Sequence, residues 1–269
     1  LQNINIPFDQ LGLSAALLPI LVERQYARPY PIQQQAIPSI LKGKDLMGIA
    51  ATGSGKTGAY ILPILSKLEK ADKLENRHIQ TLVLVPTREL ATQVQEVALS
   101  FTRGLPYRVK STAVFGGVSI NPQMKGMLGV QLLIATPGRL LDLIDSKALS
   151  LASVQTLVLD EADKMLNMGF SDEMDRILGM LPTKRQNLLF SATLSPRIQV
   201  ARGIDIAFLP YVINYELPRS PKDFIHRIGR TGRAENPGTA ISLITPEEEH
   251  HFKVIQKKMK TRVELEDSW

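Results

Sequence analysis

The sequence DLMGIAATGSGKT at residues 45–57 joins a short apolar run to a glycine-rich turn that ends in lysine and threonine. The run has the length of a buried strand, and the residues after the turn favour a helix. A turn of this kind directs backbone N–H groups inward, and the helix N-terminus adds a dipole that attracts anions. The stretch therefore predicts a phosphate-binding loop, whose first position is Ala50 rather than glycine.

Similar apolar runs recur along the chain, separated by lengths that suit helical crossovers. Because parallel strands covered on both faces have near-continuous apolar sequences, the runs predict a parallel α/β sheet over residues 1–198. The predicted strands are 45–50, 81–85, 109–115, 131–135, 156–160 and 187–191. Further predicted elements are strands 211–215 and 239–244 and helices 222–228 and 246–260.

The phosphate-binding loop predicts a nucleotide site with a divalent cation. Lys56 is expected to reach the β and γ phosphates, and the Thr57 hydroxyl can ligate Mg²⁺. A glycine-rich turn without a ligand is the structural alternative, and the loop by itself would equally suit a kinase or a GTPase. The predicted nucleotide-binding residues of the loop are Thr52, Gly53, Ser54, Gly55, Lys56 and Thr57.

Acidic residues follow the predicted strand 156–160, at the sheet edge where α/β proteins bind ligands. Asp160 is expected to hold Mg²⁺ through water, and Glu161 to orient and deprotonate the water that attacks the γ phosphate. Ser191 and Thr193 offer hydroxyls to the Asp163 carboxylate. The alternative is an acidic helix N-terminus stabilised by the helix dipole.

In this order, the motifs resemble those of the DEAD-box RNA helicase family. Residues 26–33 (YARPYPIQ) resemble its adenine-reading Q motif, in which an amide can bond the adenine edge bidentately. Tyr30 stands where the family usually has threonine, and Gln25 where it usually has glycine. The implied nucleotide-binding residues are Phe8, Tyr26, Arg28 and Gln33.

Three segments that follow strands look like the family's RNA-contacting motifs. Arginine and threonine side chains can bond phosphates, and paired glycines allow the backbone to approach an RNA strand closely. The implied RNA-contacting residues are Pro86, Thr87, Arg88, Gly116, Gly117, Thr136 and Arg139.

Residues 226–233 (HRIGRTGR) resemble the family's arginine-finger motif, and residues 201–205 its ribose-contacting and coupling motif. The resemblance implies that Arg230 and Arg233 stabilise charge at the γ phosphate, as guanidinium geometry allows. It also implies that Asp205 contacts the nucleotide and that His226 helps to couple ATP to RNA. The C-terminal tail looks most like the bacterial RhlE-like branch.

The resemblance implies two RecA-like parallel-sheet domains in tandem, the second represented only by its C-terminal part. Residues 1–198 would form the first and 199–269 the remainder of the second. Only the seven residues 194–200 separate the Ser-Ala-Thr segment at 191–193 from the motif at 201–205, and they cannot supply the missing strands and crossovers. We therefore predict missing sequence near Gln199 and Val200.

The composition is compatible with such a protein but does not by itself identify one. Thirty-two Lys and Arg against 26 Asp and Glu give a net charge of +6, a mild excess that suits a polyanionic partner. The absence of cysteine excludes disulfides and thiolate chemistry. No apolar run is long enough to span a bilayer, and the first residues do not resemble a signal peptide, so a cytoplasmic location is expected.

The sequence thus predicts an RNA-dependent ATPase and helicase that uses ATP and Mg²⁺, binds the RNA backbone without sequence specificity and remodels short duplexes or ribonucleoproteins. One alternative is a non-catalytic, ATP-gated RNA clamp or assembly scaffold. Another is a phosphate-loop kinase or a DNA translocase, which comparison of RNA with DNA would distinguish because of the 2′-OH.

Overall fold

The computed structural model describes residues 6–50, 53–69, 77–192, 211–214, 217–218, 220–228 and 239–259. Within these residues, eight parallel strands form one sheet in the order β3-β4-β2-β5-β6-β1-β7-β8. The strands are β1 Leu46–Ile49, β2 Thr81–Leu84, β3 Ser111–Val114, β4 Leu132–Ala135, β5 Thr156–Asp160, β6 Gln186–Ser191, β7 Tyr211–Asn214 and β8 Thr239–Ser242. The predicted parallel α/β sheet is confirmed.

Helices connect these strands and cover the sheet. They are α1 Leu18–Glu23, α2 Pro31–Leu41, α3 Lys56–Leu68, α4 Arg88–Thr102, α5 Ile120–Gly126, α6 Pro137–Asp145, α7 Ala162–Asn167, α8 Ser171–Met180, α9 Pro221–Ile228 and α10 Glu249–Met259. Short 3₁₀ turns occupy Phe8–Gln10 and Pro246–Glu248. The predicted helix 246–260 therefore begins as a 3₁₀ turn before it becomes α10.

Two apolar cores lie on opposite faces of the sheet. In β2, Val83 belongs to the core formed with α2, α3 and α4, whereas Leu82 and Leu84 belong to the core formed with α6, α7 and α8. Successive side chains of a strand point to opposite faces, so this alternation shows that helices cover both sides. Burial on both faces is why the central strands β1, β2 and β4 are almost wholly apolar.

The two C-terminal strands extend the same sheet. β7 pairs with β1, and β8 pairs with β7. A separate small cluster of Phe224, Phe252 and Ile255 joins α9 to α10. The predicted break near Gln199 and Val200 lies outside the described residues, and the predicted division of the chain after residue 198 stays a prediction.

Gly48 provides a stability test at the centre of the sheet. A Cβ atom on Gly48 would lie 2.7 Å from two ring carbons of the buried Phe190. We expect Gly48→Ala to lower the free energy of unfolding by about 1–3 kcal/mol, because overpacking a dense core displaces its side chains. Urea denaturation followed by circular dichroism measures this change. Gly126→Ala is the control, since a Cβ there meets nothing within 4 Å; equal destabilisation of both variants would contradict the prediction.

Candidate functional site

The sheet order sorts the predicted motifs into two neighbouring groups. Strands β5, β6 and β1 are adjacent, and they lead into the loops at residues 50–57, 160–163 and 191–193, which we call the nucleotide loops. Strands β3, β4 and β2 are also adjacent, and they lead into residues 116–119, 136–139 and 86–88, which we call the outer loops. Because all these strands are parallel, both groups lie at the carboxyl edge of the sheet.

The phosphate loop has the backbone of an anion-binding turn. Gly53 and Gly55 both have φ near +87°, a conformation that side-chain-bearing residues rarely adopt. The Lys56 side chain is buried, and its Nζ donates to the Ala50 carbonyl at 2.6 Å, within its own loop. Ser54 is also buried, whereas Thr52 lies outside the described residues.

Gln33 connects α2 to this loop. Its Nε2 donates to the Gly55 carbonyl at 3.0 Å, and its Oε1 accepts the Tyr30 backbone N–H at 2.9 Å. A Cβ on Gly55 would lie 2.7 Å from the Tyr30 ring and 2.8 Å from Gln33 Nε2, so only glycine fits without displacement. The contact of Gln33 with adenine stays a prediction.

The upstream aromatic residues form an edge-to-face chain. The Phe8 and Tyr26 ring centroids are 6.4 Å apart, and those of Tyr26 and Phe101 are 5.3 Å apart. Such contacts stabilise the entry segment against α4. Arg28 is exposed at the start of this region. Roles for Phe8, Tyr26 and Arg28 in nucleotide binding stay predictions.

Asp160 is a buried carboxylate with one oxygen bonded and the other free. Its side chain is almost fully buried, and Oδ2 accepts from the Tyr60 hydroxyl at 2.8 Å. Among the described residues, Oδ1 has no hydrogen-bond partner. Burial raises the pKa of Asp160, while the Tyr60 hydrogen bond and the Lys56 charge oppose that rise. A buried acceptor without a partner indicates a place for a cation or its water.

Glu161 precedes α7 in a strained backbone conformation. Its φ of +53° is unusual for a residue with a side chain, and such strain is typical of functional sites. Its Oε2 pairs with Lys164 Nζ at 2.8 Å, and this contact raises the pKa of Lys164. The Lys164 side chain is exposed, so solvent can compete for the pair.

The predicted coupling residues lie close to these groups. Asp163 is buried in α7 and accepts the Lys164 backbone N–H at 3.0 Å. Ser191 is buried at the end of β6, where its carbonyl accepts the Ala50 N–H at 3.0 Å and ties β6 to the phosphate loop. Thr193 lies outside the described residues, and the bonds from Ser191 and Thr193 to Asp163 stay predictions.

The first outer loop presents an exposed cation at the N-terminus of a helix. Thr87 caps α4 by accepting the Leu90 N–H at 3.2 Å. The Arg88 guanidinium lies 5.0 Å from the centroid of the Phe115 ring, which belongs to the neighbouring loop. Pro86 is buried directly after β2. The contact between Arg88 and Phe115 is a cation–π interaction that orients Arg88.

Arg139 joins the other two outer loops. Its Nη2 donates to the Val118 carbonyl at 2.8 Å, and its Nε contacts Asp142 at 3.3 Å. Nη1 is buried, and within the described part of the chain it has no hydrogen-bond partner. Thr136 immediately precedes α6, while Gly116 and Gly117 are exposed and Gly117 has φ of +77°. The Nη1 amino group of a fixed guanidinium is therefore left for a ligand.

The C-terminal predictions mostly lie beyond the described residues. Arg230, Arg233 and Asp205 are outside them, and of His226 only the backbone is described, within α9. Their predicted roles stay predictions.

Two residues of the site were not among those that the sequence predicted. Tyr60 bonds Asp160, and Lys164 pairs with Glu161. The signal for Lys164 was its spacing of three residues from Glu161 on a helix. Tyr60 places a hydroxyl in a largely apolar part of α3, but the sequence does not indicate the hydrogen-bond partner of that hydroxyl.

Comparison with known proteins agrees with this geometry. Residues 30–200 match the DEAD/DEAH box helicase family model, and residues 170–235 match the helicase conserved C-terminal domain. The chain belongs to the DEAD/DEAH box helicase family, which confirms the predicted membership.

Two similar relatives are bacterial. The ATP-dependent RNA helicase CshA of Limosilactobacillus reuteri is 31% identical, with 95% of this chain and 72% of the relative covered. The DEAD-box ATP-dependent RNA helicase CshA of Streptococcus pneumoniae is 32% identical, with 95% and 69% covered. The RhlE-like branch stays a prediction.

Solved structures share the fold. A DEAD box protein from Methanococcus jannaschii is 27% identical with a TM-score of 0.66, and 95% of this chain and 98% of that chain are covered. The yeast splicing factor Prp28 has the same TM-score of 0.66 at 24% identity, a likeness that shows the fold alone. These matches support a RecA-like domain followed by part of a second one. In the described part of the chain, no helix has both the length and the apolar character needed to cross a membrane.

Proposed function

We propose that this protein is an ATP-dependent RNA helicase, in which RNA stimulates ATP hydrolysis and hydrolysis drives local duplex unwinding or ribonucleoprotein remodelling. The observation that carries the proposal is the adjacency of the nucleotide loops and the outer loops along one sheet edge. Ligands bound at the two groups would share a rigid frame, so that binding at one can affect the other. The names of the CshA relatives and the DEAD/DEAH match support it.

The nucleotide loops supply the proposed ATP site. Gln33 contacts adenine, and the backbone N–H groups around Gly53 and Gly55 surround the phosphates. Lys56 exchanges its bond with the Ala50 carbonyl for phosphate oxygens when ATP binds. This exchange replaces a neutral acceptor with a charged one and so favours the bound state.

The residues present also suit Mg²⁺. The free, buried Oδ1 of Asp160 is a hard oxygen donor, and the Thr57 hydroxyl belongs to the same ligand class. Asp160, acting through water, and Thr57 would therefore hold the ion. When bound, Mg²⁺ neutralises charge on the phosphate oxygens.

Glu161 is the proposed general base. It orients the attacking water and accepts its proton, and its Oε2 is paired with Lys164 Nζ at 2.8 Å. Arg230 and Arg233 stabilise negative charge that develops on the γ phosphate, and Asp205 contacts the ribose. Asp163, Ser191, Thr193 and His226 form the proposed link between nucleotide state and RNA.

The outer loops supply the proposed RNA site. The N-termini of α4 and α6 favour phosphate oxygens, and Thr87, Arg88 and Thr136 add hydrogen-bond donors beside them. Gly116 and Gly117 let the backbone come close to the strand. Because these groups contact phosphate and sugar, the proposed binding does not depend on base sequence.

The proposed division of the chain places residues 1–198 in one lobe and 199–269 in the rest of a second. The alignment with the Limosilactobacillus relative has 366 positions, more than the 269 residues of this chain, so the relative has sequence that this chain lacks. This supports missing sequence near Gln199 and Val200. Sequencing the gene across codons 193–210 tests it, and an uninterrupted reading frame identical to this sequence would refute it.

The function is tested by measuring phosphate release from ATP with and without single-stranded RNA. Turnover should rise with RNA and should not rise with DNA of the same sequence. Strand separation of a short RNA duplex should require hydrolysable ATP. Turnover that ignores RNA, or no turnover at all, would reject the proposal.

Arg139 gives a prediction for RNA binding alone. We expect Arg139→Gln to weaken single-stranded RNA binding about tenfold and to reduce the slope of log affinity against log salt by about 0.7, the value for one lost phosphate contact. Fluorescence anisotropy at several salt concentrations measures both. Arg103→Gln is the control. Arg103 is exposed at the C-terminal end of α4, whereas the outer loop at residues 86–88 lies at the N-terminal end of that helix. An unchanged slope for Arg139→Gln would contradict the assignment.

A further inference from the structure

Tyr60 brings a buried hydroxyl to the predicted cation ligands. It lies in the second turn of α3, is fully buried, and donates to Asp160 Oδ2 at 2.8 Å across 100 residues of sequence. Tyr60 therefore contacts Asp160, one of the two residues proposed to hold Mg²⁺, although no motif of the sequence includes it.

The phenol ring is held in place from the other side. Its centroid lies 5.3 Å from that of Phe190, with an interplanar angle of 47°. Phe190 is itself buried and packs directly against Gly48 of β1. Packing this dense leaves a side chain few alternative rotamers, so the hydroxyl has a defined position.

In the contact with Asp160 the Tyr60 phenol is the donor, because an ionised carboxylate oxygen can only accept a hydrogen bond. That bond occupies one carboxylate oxygen and leaves Oδ1 free.

We propose that Tyr60 is a positioning residue for the divalent cation that accompanies ATP: it locks the Asp160 carboxylate so that Oδ1 faces the cation and its water shell. The inference rests on the proposed function of the same site. A hydroxyl in an apolar core is costly unless it is hydrogen-bonded, and the bond to Asp160 Oδ2 meets that need for Tyr60. The same bond restrains the Asp160 carboxylate, and partners of metal ligands control ligand geometry.

Tyr60→Phe tests the proposal because it removes only the hydroxyl. We expect it to weaken Mn²⁺ binding to the protein with a non-hydrolysable ATP analogue about tenfold, as loss of a partner of a metal ligand commonly does. Electron paramagnetic resonance of free Mn²⁺ measures the binding directly. In ATPase assays, the Mg²⁺ concentration for half-maximal rate should rise by a similar factor, while kcat at saturating Mg²⁺ should stay near that of the wild type.

Tyr107→Phe is the matched control. The Tyr107 hydroxyl donates to the carbonyl of Leu65 at 3.3 Å, away from the nucleotide loops. Leu65 lies in α3, the helix that also contains Tyr60. Tyr107→Phe should leave Mn²⁺ binding unchanged. A Tyr60→Phe variant that binds Mn²⁺ like the wild type would overturn the proposal, even if its thermal stability in EDTA were lower, because the hydroxyl would then serve the fold alone.

Folding and the proposed function are checked separately. Circular dichroism in EDTA tests whether Tyr60→Phe is folded. If it is not folded, Tyr60→Leu, which also lacks the hydroxyl, is tested by the same Mn²⁺ titration. The Mn²⁺ titration needs neither hydrolysis nor RNA. Absence of RNA-stimulated turnover in the wild type would therefore reject the helicase assignment, whereas unchanged Mn²⁺ binding in the variant would reject only the role of Tyr60.

Discussion

Replacing Glu161 with glutamine should lower kcat for RNA-stimulated ATP hydrolysis at least about 100-fold, the usual contribution of a general base. Glutamine keeps the size of the side chain but cannot accept a proton. ATP binding and ATP-dependent RNA binding should persist, because neither needs proton transfer. Phosphate release at saturating RNA measures the first effect, and anisotropy of labelled RNA with ATP measures the second.

Glu173→Gln is the control for this prediction. Glu173 is a partly exposed residue in the first turn of α8, outside the nucleotide loops, and its replacement should leave kcat unchanged. If Glu161→Gln hydrolyses ATP like the wild type, Glu161 is not the base. If the wild type itself only clamps RNA without turnover, the alternative of a non-catalytic scaffold is favoured.

Replacing Lys56 with methionine should lower kcat/KM for ATP about 100- to 1,000-fold, the loss expected when a preorganised donor to developing charge is removed. The unbranched chain of methionine fills the buried space of the lysine stem. The Lys56 ammonium lies within the phosphate loop, where it bonds the Ala50 carbonyl, and methionine removes that donor. Nucleotide affinity, measured with a fluorescent ADP analogue, should weaken as well.

Lys67→Met provides the matched control on the same helix. The Lys67 ammonium donates to Gln186 Oε1 at 2.7 Å, away from the nucleotide loops, and burial lowers its pKa. Its loss should reduce stability slightly and leave kcat/KM unchanged. Equal losses of activity in the two variants would mean that Lys56 acts through stability rather than at the phosphates.

The central strands were predictable because most of their residues are apolar, as in β1, β2 and β4. All eight observed strands fall within the predicted ranges, except that β6 begins one residue earlier, at Gln186. A half-exposed strand shows alternating apolar and polar residues, whereas a strand buried on both faces does not. The near-continuous apolar sequences therefore predicted helices on both sides of the sheet. The order of strands was not predictable, because pairing β2 with β5 rather than with β1 is decided by the packing of distant segments.

Within the site, the sequence predicted features formed by neighbouring residues but not contacts between residues far apart in the chain. The turn at residues 53–57 and the carboxylates at 160–161 are local features whose spacing indicates their chemistry. The bond of Tyr60 to Asp160 depends on β5 and β1 flanking β6 in the folded sheet. No local pattern encodes that relation.

By itself, the sequence determined the parallel α/β class, the phosphate loop, the acidic pair and the resemblance to DEAD-box helicases, because these depend on residue type and short spacing. Only the tertiary structure decided that the nucleotide loops and outer loops form two adjacent groups, that Arg139 ties two outer loops together, and that Tyr60 occupies one oxygen of Asp160. The physical reason is that strand order and side-chain packing bring together residues far apart in sequence, and the free energy of those contacts belongs to the whole fold.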